Sequence, residues 1–150
     1  MRWAWTPFDG PAVRRLRRAG FVIAGKTSTS ELALMPVVEP DLHPPTANPW
    51  DPAHTAGGSS GGSAAAVGAG MLSIAHAADG AGSIRIPAAF CHLFGFKSSR
   101  GAVPNFYGAS DPLRWSSVGC VAHGVEDAAA VTDALAGRPV GSPTPGSLRR

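Results

Sequence analysis

An α/β fold is the fold class that the sequence predicts, and three stretches of the chain support this prediction. Residues 9–20 carry apolar side chains at helical spacing on one face and arginines on the opposite face. The fully apolar run at residues 21–24 follows at once and is typical of a buried parallel strand. A second amphipathic helix is predicted at Val125–Ala136. A helix followed closely by a buried strand is half of an α/β unit.

The predicted elements have local start and stop signals. Asp9 is the expected N-cap of the first helix, Pro11 lies in its first turn, and Gly20 is placed to end it. Residues 35–55 are rich in proline and form either an ordered loop or a linker. The elements expected next are a small-residue helix at 64–70, an apolar strand at 71–78, a tight turn at 79–83 and a helix at 84–90 that Pro87 opens. Gly137 and Pro139 end the last helix, and residues 138–150 are expected to form a frayed tail.

Composition limits the classes of function. Of the 150 residues, 44% are hydrophobic and 15% are charged, which indicates a globular domain. No apolar run approaches the roughly 18 residues that a membrane span needs, and residues 1–10 contain no signal-peptide core. Two cysteines suit a reducing cytoplasm. The arginines of the first helix are interpreted as a solvated face and not as a nucleic-acid site, because no aromatic or lysine-rich patch accompanies them.

The glycine- and serine-rich residues 57–63 allow three interpretations. A flexible linker would rarely run straight into an alanine-rich helix. A phosphate-binding P-loop is excluded because no Gly-Lys-Ser/Thr follows at the required spacing. A nucleophile elbow of the G-x-S-x-G type matches formally, but the preceding residues 50–56 do not have the pattern of a strand.

The turn at residues 79–83 is a better candidate for chemistry. Ser83 would lie on a sharp turn between a strand and a helix, where backbone N–H groups from Gly80 onward could converge on a developing oxyanion. An ordinary turn with a solvated serine explains the same residues equally well. A serine nucleophile also needs a base, and none of the five histidines has a context that singles it out. Their scatter gives no metal-ligand spacing, so neither a metal nor another cofactor is expected.

Two linked segments resemble the amidase signature. They are Gly57-Gly-Ser-Ser-Gly-Gly-Ser-Ala-Ala-Ala66 and Asp79-Gly-Ala-Gly-Ser-Ile-Arg-Ile-Pro-Ala-Ala-Phe-Cys91. Ser59 and Ser83 are 24 residues apart, which is the spacing of the two serines in that family. Further matches follow the family's order at residues 24–31, 48–51, 95–97, 100–104 and 125–129. The resemblance covers about residues 9–137 of a single domain.

The resemblance implies an amide hydrolase with a Ser–cis-Ser–Lys triad on a mixed β-sheet flanked by helices. Ser83 would attack a small-molecule amide and form an acyl-enzyme. Ser59, preceded by a non-proline cis peptide bond, would relay the proton. The oxyanion donors would be the backbone N–H groups of Gly80, Ala81 and Gly82. The residues expected to brace the loops are Asp79, Arg85 and Ser60, the last by a hydrogen bond within its own turn.

Two features of the sequence depart from that family. Ala81 stands where the family usually has glycine, and its methyl group narrows the oxyanion pocket. The family's catalytic lysine lies well upstream of the segment around Lys26, and the other lysine, Lys97, also matches a different motif. The expectation is therefore a central fragment that is inactive alone. The alternatives are a fragment of the A subunit of a tRNA-dependent amidotransferase, and a non-catalytic remnant or interaction module.

Overall fold

The computed structural model describes residues 8–104, 111 and 113–142. Four α-helices, three β-strands and one 3₁₀ turn occur in this part of the chain. In order they are α1 (Pro11–Arg18), the 3₁₀ turn (Glu31–Ala33), α2 (Gly61–Gly68), β1 (Ile74–Asp79), α3 (Arg85–Phe90), β2 (Phe94–Lys97), β3 (Ser117–Ala122) and α4 (Val125–Ala136). The predicted α/β class is confirmed.

The three strands form one sheet in the order β1-β3-β2. Both outer strands run antiparallel to β3, with Ile74 and Phe94 each opposite Ala122. Every residue of β3 is buried, because helices cover both faces of the central strand. Neither β2 nor β3 was predicted as a strand.

Helices on the two sides of the sheet form two apolar clusters. On one side, Leu16 of α1 and Val131 and Leu135 of α4 pack against β3. On the other side, Val67 of α2 and Ile84 pack against the opposite face of the sheet. These buried aliphatic side chains provide most of the favourable free energy of folding, at roughly 1.5–3 kcal/mol for each.

The first helix differs from its prediction at its beginning. Gly10, not Asp9, is the N-cap residue, and it makes no side-chain cap. The Asp9 carboxylate is engaged instead by Arg17, whose Nε donates to Oδ2 at 2.8 Å. The end of the helix is as predicted, since Gly20 has φ +90° and donates its N–H to the Arg17 carbonyl at 3.0 Å.

The predicted parallel strand at residues 21–24 is wrong. This segment belongs to no strand, and no neighbouring strand pairs with it among the described residues. Phe21 and Ile23 pack against the core, whereas Val22 is 92% exposed. The run is therefore covered on one face only, and hydrophobicity alone could not reveal this because an apolar run contains no alternation.

The proline-rich residues 35–55 form an ordered loop. Val38 is fully buried, and its carbonyl accepts the Thr46 N–H at 2.8 Å. The Asn48 side chain donates from Nδ2 to the Phe90 carbonyl at 2.8 Å, which joins this loop to α3. Composition left an ordered loop and a linker open for residues 35–55, and the structure shows the ordered loop.

Hydrogen bonds to the Asp133 side chain keep residues 138–142, just after α4, in place. Asp133 accepts two bonds from the Arg138 guanidinium and one N–H each from Gly141 and Ser142, at 2.8–3.1 Å. The expected frayed tail does not begin at residue 138 for this reason, and residues 143–150 lie outside the described part of the chain. None of the helices in the described ranges is long and apolar enough to cross a membrane.

The arginine-rich face of α1 is largely solvated, as predicted, with one difference. Arg14, Arg17 and Arg18 are exposed. Arg15 is half-buried and donates from Nη1 to the Leu135 carbonyl at 2.6 Å. This arginine therefore ties α1 to the last turn of α4.

Candidate active site

The two segments with the candidate serines lie against each other. The Ser60 N–H donates to the Ser83 carbonyl at 3.2 Å. Ser59 is buried and Ser83 is half-buried. The Gly58–Ser59 peptide bond is cis, as the resemblance implies. No hydrogen bond joins the Ser59 and Ser83 hydroxyls in the described residues, so the direct contact that a proton relay between them would use is not made in this structure.

Glycines allow residues 57–63 to pack tightly against the chain that precedes them. A Cβ on Gly58 would lie 2.7 Å from the Val37 backbone nitrogen, and one on Gly62 would lie 2.4 Å from two Ser28 backbone atoms. The Gly62 N–H also donates to the Ser28 carbonyl at 3.1 Å. Only glycine fits where two backbones approach this closely, so these residues fix the position of Ser59.

Ser60 does not bond within its own turn, which corrects the sequence-based expectation. Its Oγ lies 3.4 Å from both the N–H and the carbonyl of Ala78 in β1. Ser63 extends this pattern by donating from Oγ to the His76 carbonyl at 2.9 Å, and it also pairs with Thr27 at 2.9 Å. The outer edge of β1 is therefore bonded to hydroxyls at the start of α2.

Sequence reasoning missed the roles of Ser63 and Thr27. A signal was present, because positions 60 and 63 are three residues apart at the N-cap and first turn of a helix while positions 76 and 78 share one side of a strand. Two serines at helical spacing beside a strand could therefore have been predicted to reach the same strand edge.

Asp79 organises the turn that carries Ser83. Its side chain is fully buried and accepts the N–H groups of Gly82 at 2.7 Å, Ile84 at 3.2 Å and Arg85 at 3.4 Å. The Arg85 guanidinium adds a two-pronged pair, with Nε at 2.9 Å from Oδ2 and Nη2 at 3.0 Å from Oδ1. One carboxylate thus holds the backbone on both sides of Ser83.

The electrostatic balance at Asp79 favours the charged carboxylate. Burial alone would raise its pKa. The hydrogen bonds from Arg85 and from the N–H groups of Gly82 and Ile84, together with the arginine charge, outweigh burial and lower the pKa below its usual value. In return, Asp79 raises the pKa of Arg85. The pair therefore stays ionised at neutral pH.

The three expected oxyanion donors differ in availability. The Gly82 N–H is committed to Asp79. Gly80 and Ala81 have no hydrogen-bond partner for their N–H groups within the described ranges, and the same holds for Ser83. Gly82 has φ +123°, a conformation that favours glycine. The available donors in this structure are thus Gly80, Ala81 and Ser83.

Neither lysine of the sequence is placed as a base for Ser59. Lys26 lines a cavity that also contains Ser59, but its side chain is exposed and donates no hydrogen bond to Ser59 within the described residues. Lys97 donates from Nζ to the Ser98 carbonyl at 2.7 Å. The part of the chain that the structure describes has no group of three or more His, Cys, Asp or Glu residues arranged to hold a metal ion.

Comparison with known proteins assigns this chain to a family. The Amidase family model matches residues 4–146. The chain belongs to the amidase family. It is 50% identical over 132 residues to AmiA2, a putative amidase of Mycobacterium tuberculosis, covering 86% of this chain and 27% of that protein. It is 44% identical over 131 residues to the A subunit of the glutamyl-tRNA(Gln) amidotransferase of Methanosarcina acetivorans, covering 87% of this chain and 28% of that relative.

Solved structures of this family have the same fold over the matched region. The native peptide amidase of Stenotrophomonas maltophilia superposes with a TM-score of 0.77 and 38% identity, covering 94% of this chain and 31% of the amidase. The 150 residues therefore span between a quarter and a third of the relatives they match.

Proposed function

We propose that this chain carries the nucleophile-bearing part of an amide hydrolase, with Ser83 as nucleophile and Ser59 as proton relay. The observation that carries the proposal is the bond from the Ser60 N–H to the Ser83 carbonyl, because it brings two serine-bearing loops into contact. Membership of the amidase family supports the same assignment.

The proposed reaction has two steps. The Ser83 oxygen attacks the amide carbonyl carbon, and the C–N bond breaks to leave an ester on Ser83. The proton of the Ser83 hydroxyl passes through Ser59 to the departing amine. Water then attacks the ester, which releases the carboxylic acid and restores the Ser83 hydroxyl. The N–H groups of Gly80 and Ala81 are the proposed donors to the oxyanion of each tetrahedral intermediate.

Proton transfer in this scheme needs a stronger base than a hydroxyl. Ser59 can pass a proton on but cannot hold one at neutral pH. A lysine kept neutral by its surroundings would do so, and neither exposed Lys26 nor Lys97 fits that role. Assistance by a general base contributes roughly 10²–10⁴ in rate. We therefore expect no measurable turnover by the 150-residue chain alone.

A chimera tests the catalytic assignment. Residues of this chain would replace the matched region of the S. maltophilia peptide amidase, and hydrolysis of a peptide amide would be measured. The S83A chimera should lose turnover, and S59A should lose a factor of roughly 10²–10⁴. S73A, at an exposed serine outside the site, should match the parent chimera. Turnover that survives S83A in a folded chimera would refute the proposed nucleophile.

A second candidate is the A subunit of a tRNA-dependent amidotransferase. The 44% identity to the M. acetivorans protein favours it. A glutaminase assay distinguishes the two candidates when residues of this chain replace the matched region of the M. acetivorans A subunit, because the 150-residue chain alone is not expected to turn over. Release of ammonia from glutamine that rises when the partner proteins of that enzyme are added would support the amidotransferase. Hydrolysis of simple amides without partners would support the amidase.

A further inference from the structure

The chain just before β3 lies beside the proposed oxyanion turn. The antiparallel register pairs Asp79, at the end of β1, with Ser117, at the start of β3. One residue beyond that pair, a Cβ on Gly80 would lie 3.7 Å from the Ser116 hydroxyl oxygen. Residues 113–116 therefore flank the turn on the side of β1 that pairs with β3.

Asp111 fixes the conformation of this segment. Its carboxylate accepts the Trp115 N–H at 3.0 Å on Oδ1 and the Ser116 N–H at 2.8 Å on Oδ2. Its backbone carbonyl accepts the Arg114 N–H at 3.0 Å. The hydrogen bond from the Ser116 N–H is the main cause that lowers the pKa of Asp111, so this carboxylate is charged at neutral pH. Three successive peptide N–H groups are thus bonded to one residue.

Large apolar side chains project from the same segment. Trp115 is 66% exposed, and Leu113 is 65% exposed. The N–H groups of residues 114–116 are bonded to Asp111, so they are not available to a polar group of a ligand. Ligand sites are lined mainly by hydrophobic and aromatic side chains, and an indole ring pairs favourably with another aromatic ring. The segment therefore suits an aromatic group of a bound molecule.

Ser59 lies on the other side of β1. The hydroxyl oxygen of Ser60, the next residue, is 3.4 Å from both the N–H and the carbonyl of Ala78 at the outer edge of this strand, whereas β3 pairs with the inner edge. Ser59 is the proposed relay to the departing amine, so the amine of a bound amide points toward the outer edge. The acyl group then points toward β3 and residues 113–116.

We propose that Trp115 binds the acyl group of the substrate and selects amides of aromatic carboxylic acids. Asp111 is a positioning residue in this arrangement, because it holds the backbone that carries the indole. The proposal rests on the proposed function, since the direction of the acyl group depends on Ser59 as the relay. An aromatic group on the amine is the competing arrangement, and the experiment distinguishes the two.

The test uses the chimera with the S. maltophilia peptide amidase and two substrates that differ in the place of the ring. Benzamide carries the ring on the acyl carbon, and acetanilide carries it on the amine. W115A should lower kcat/KM for benzamide about tenfold because the ring loses its aromatic partner, and it should leave kcat/KM for acetanilide unchanged. W115F keeps an aromatic ring at this position and should restore most of the activity on benzamide.

Matched variants separate selectivity from folding. M71A removes another exposed apolar side chain, on a residue that is 76% exposed and precedes the start of β1, and it should behave as the parent with both substrates. D111A should lower kcat/KM for benzamide more than kcat/KM for acetanilide. D41A, at an exposed aspartate, should lower neither.

A binding measurement does not depend on turnover. Fluorine NMR of para-fluorobenzamide with the 150-residue chain should give a dissociation constant that W115A raises about tenfold and that M71A does not change. This measurement decides the role of Trp115 even where the parent chimera shows no turnover, a result that would count against the catalytic assignment.

Three results would overturn the proposal for Trp115. They are equal losses of kcat/KM for the two substrates in W115A, a loss for acetanilide alone, and equal dissociation constants of para-fluorobenzamide for W115A and the parent. The proposed function fails separately. Turnover that survives S83A, together with a selective loss on benzamide in W115A, would refute the nucleophile and leave the role of Trp115 in place.

Discussion

Replacement of Asp79 by asparagine changes one oxygen of a buried carboxylate into an amide nitrogen. If the amide oxygen keeps the place of Oδ1, the bonds from the Gly82 N–H and Arg85 Nη2 remain. The three bonds to Oδ2, from the Ile84 N–H, the Arg85 N–H and Arg85 Nε, are lost. The amide N–H of the new side chain would then face the Ile84 N–H. Two hydrogen-bond donors would therefore oppose each other in a buried turn.

The expected destabilisation follows from these contacts. A hydrogen bond to a charged group contributes about 1.5–3 kcal/mol. The two backbone bonds to Oδ2 are long, at 3.2 and 3.4 Å, and the Arg85 side chain is 57% exposed and screened by solvent. We therefore expect D79N to lower the free energy of unfolding by about 2–3 kcal/mol.

Thermal melting followed by circular dichroism measures this effect. For a chain of this size, 2 kcal/mol corresponds to a fall in Tm of roughly 4–8 °C. D51N is the control, because Asp51 also accepts a backbone N–H, from Ala53 at 3.0 Å, but lies on the surface. It should melt close to the parent. Equal Tm values for D79N and D51N would refute the bracing role of Asp79.

The same variant should alter the response to acid. Asp79 has a lower pKa in the folded chain than the ordinary value of 3.8 for an aspartate. The unfolded chain therefore binds the proton more readily, so stability from this group is present above about pH 4 and is lost as the pH falls through the folded pKa. The difference in stability between the parent and D79N should accordingly shrink below about pH 4, and a constant difference down to about pH 2 would contradict this linkage.

Two further predictions concern packing and thiol chemistry. G62A should destabilise the chain by about 1–3 kcal/mol because its Cβ would meet the Ser28 backbone at 2.4 Å. A Cβ on Gly25 would have no atom within 4 Å, so G25A should melt close to the parent. Equal Tm values for G62A and G25A would contradict the close approach of Gly62 to the Ser28 backbone. Burial raises the pKa of Cys91 to about 11 and that of Cys120 to about 12. Iodoacetamide at about pH 8 should therefore label neither thiol until urea is added, and rapid labelling of the native chain would contradict their burial.

Local signals were sufficient where an element depends on neighbouring residues. The helix α4 spans Val125–Ala136, as predicted, with Ala128, Val131 and Leu135 buried. Gly137 has φ +76° and ends it. The apolar stripe and the stop signal both lie within this stretch of sequence, so no distant contact was needed to predict it.

Distant contacts explain the errors in the sheet. Residues 21–24 are as apolar as a buried strand, yet the strand that pairs with β1 is β3, far along the chain at residues 117–122. Apolar character does not specify a partner, and β-strand preference depends strongly on packing context. For the same reason, β2 and β3 could not be identified without knowledge of their pairing.

The candidate site was predictable as a pair of linked segments and not as a set of contacts. The spacing of Ser59 and Ser83 pointed to two loops that do meet, through the Ser60 N–H. The bonds from Ser60 and Ser63 to β1 were missed because they depend on the packing of α2 against the strand. The roles of the two candidate serines in a triad stay predictions.

The position of β3 has a consequence for synthesis on the ribosome. The strands β1 and β2 pair only with β3 among the described residues, and β3 occupies residues 117–122. Among the described residues, those up to residue 100 offer no partner to either strand. Closure of such long loops slows folding, so the serine-bearing loops emerge well before the sheet that supports them. Nascent-chain chaperones should therefore engage this protein while residues 74–97 are outside the exit tunnel and residues 117–122 are still inside it.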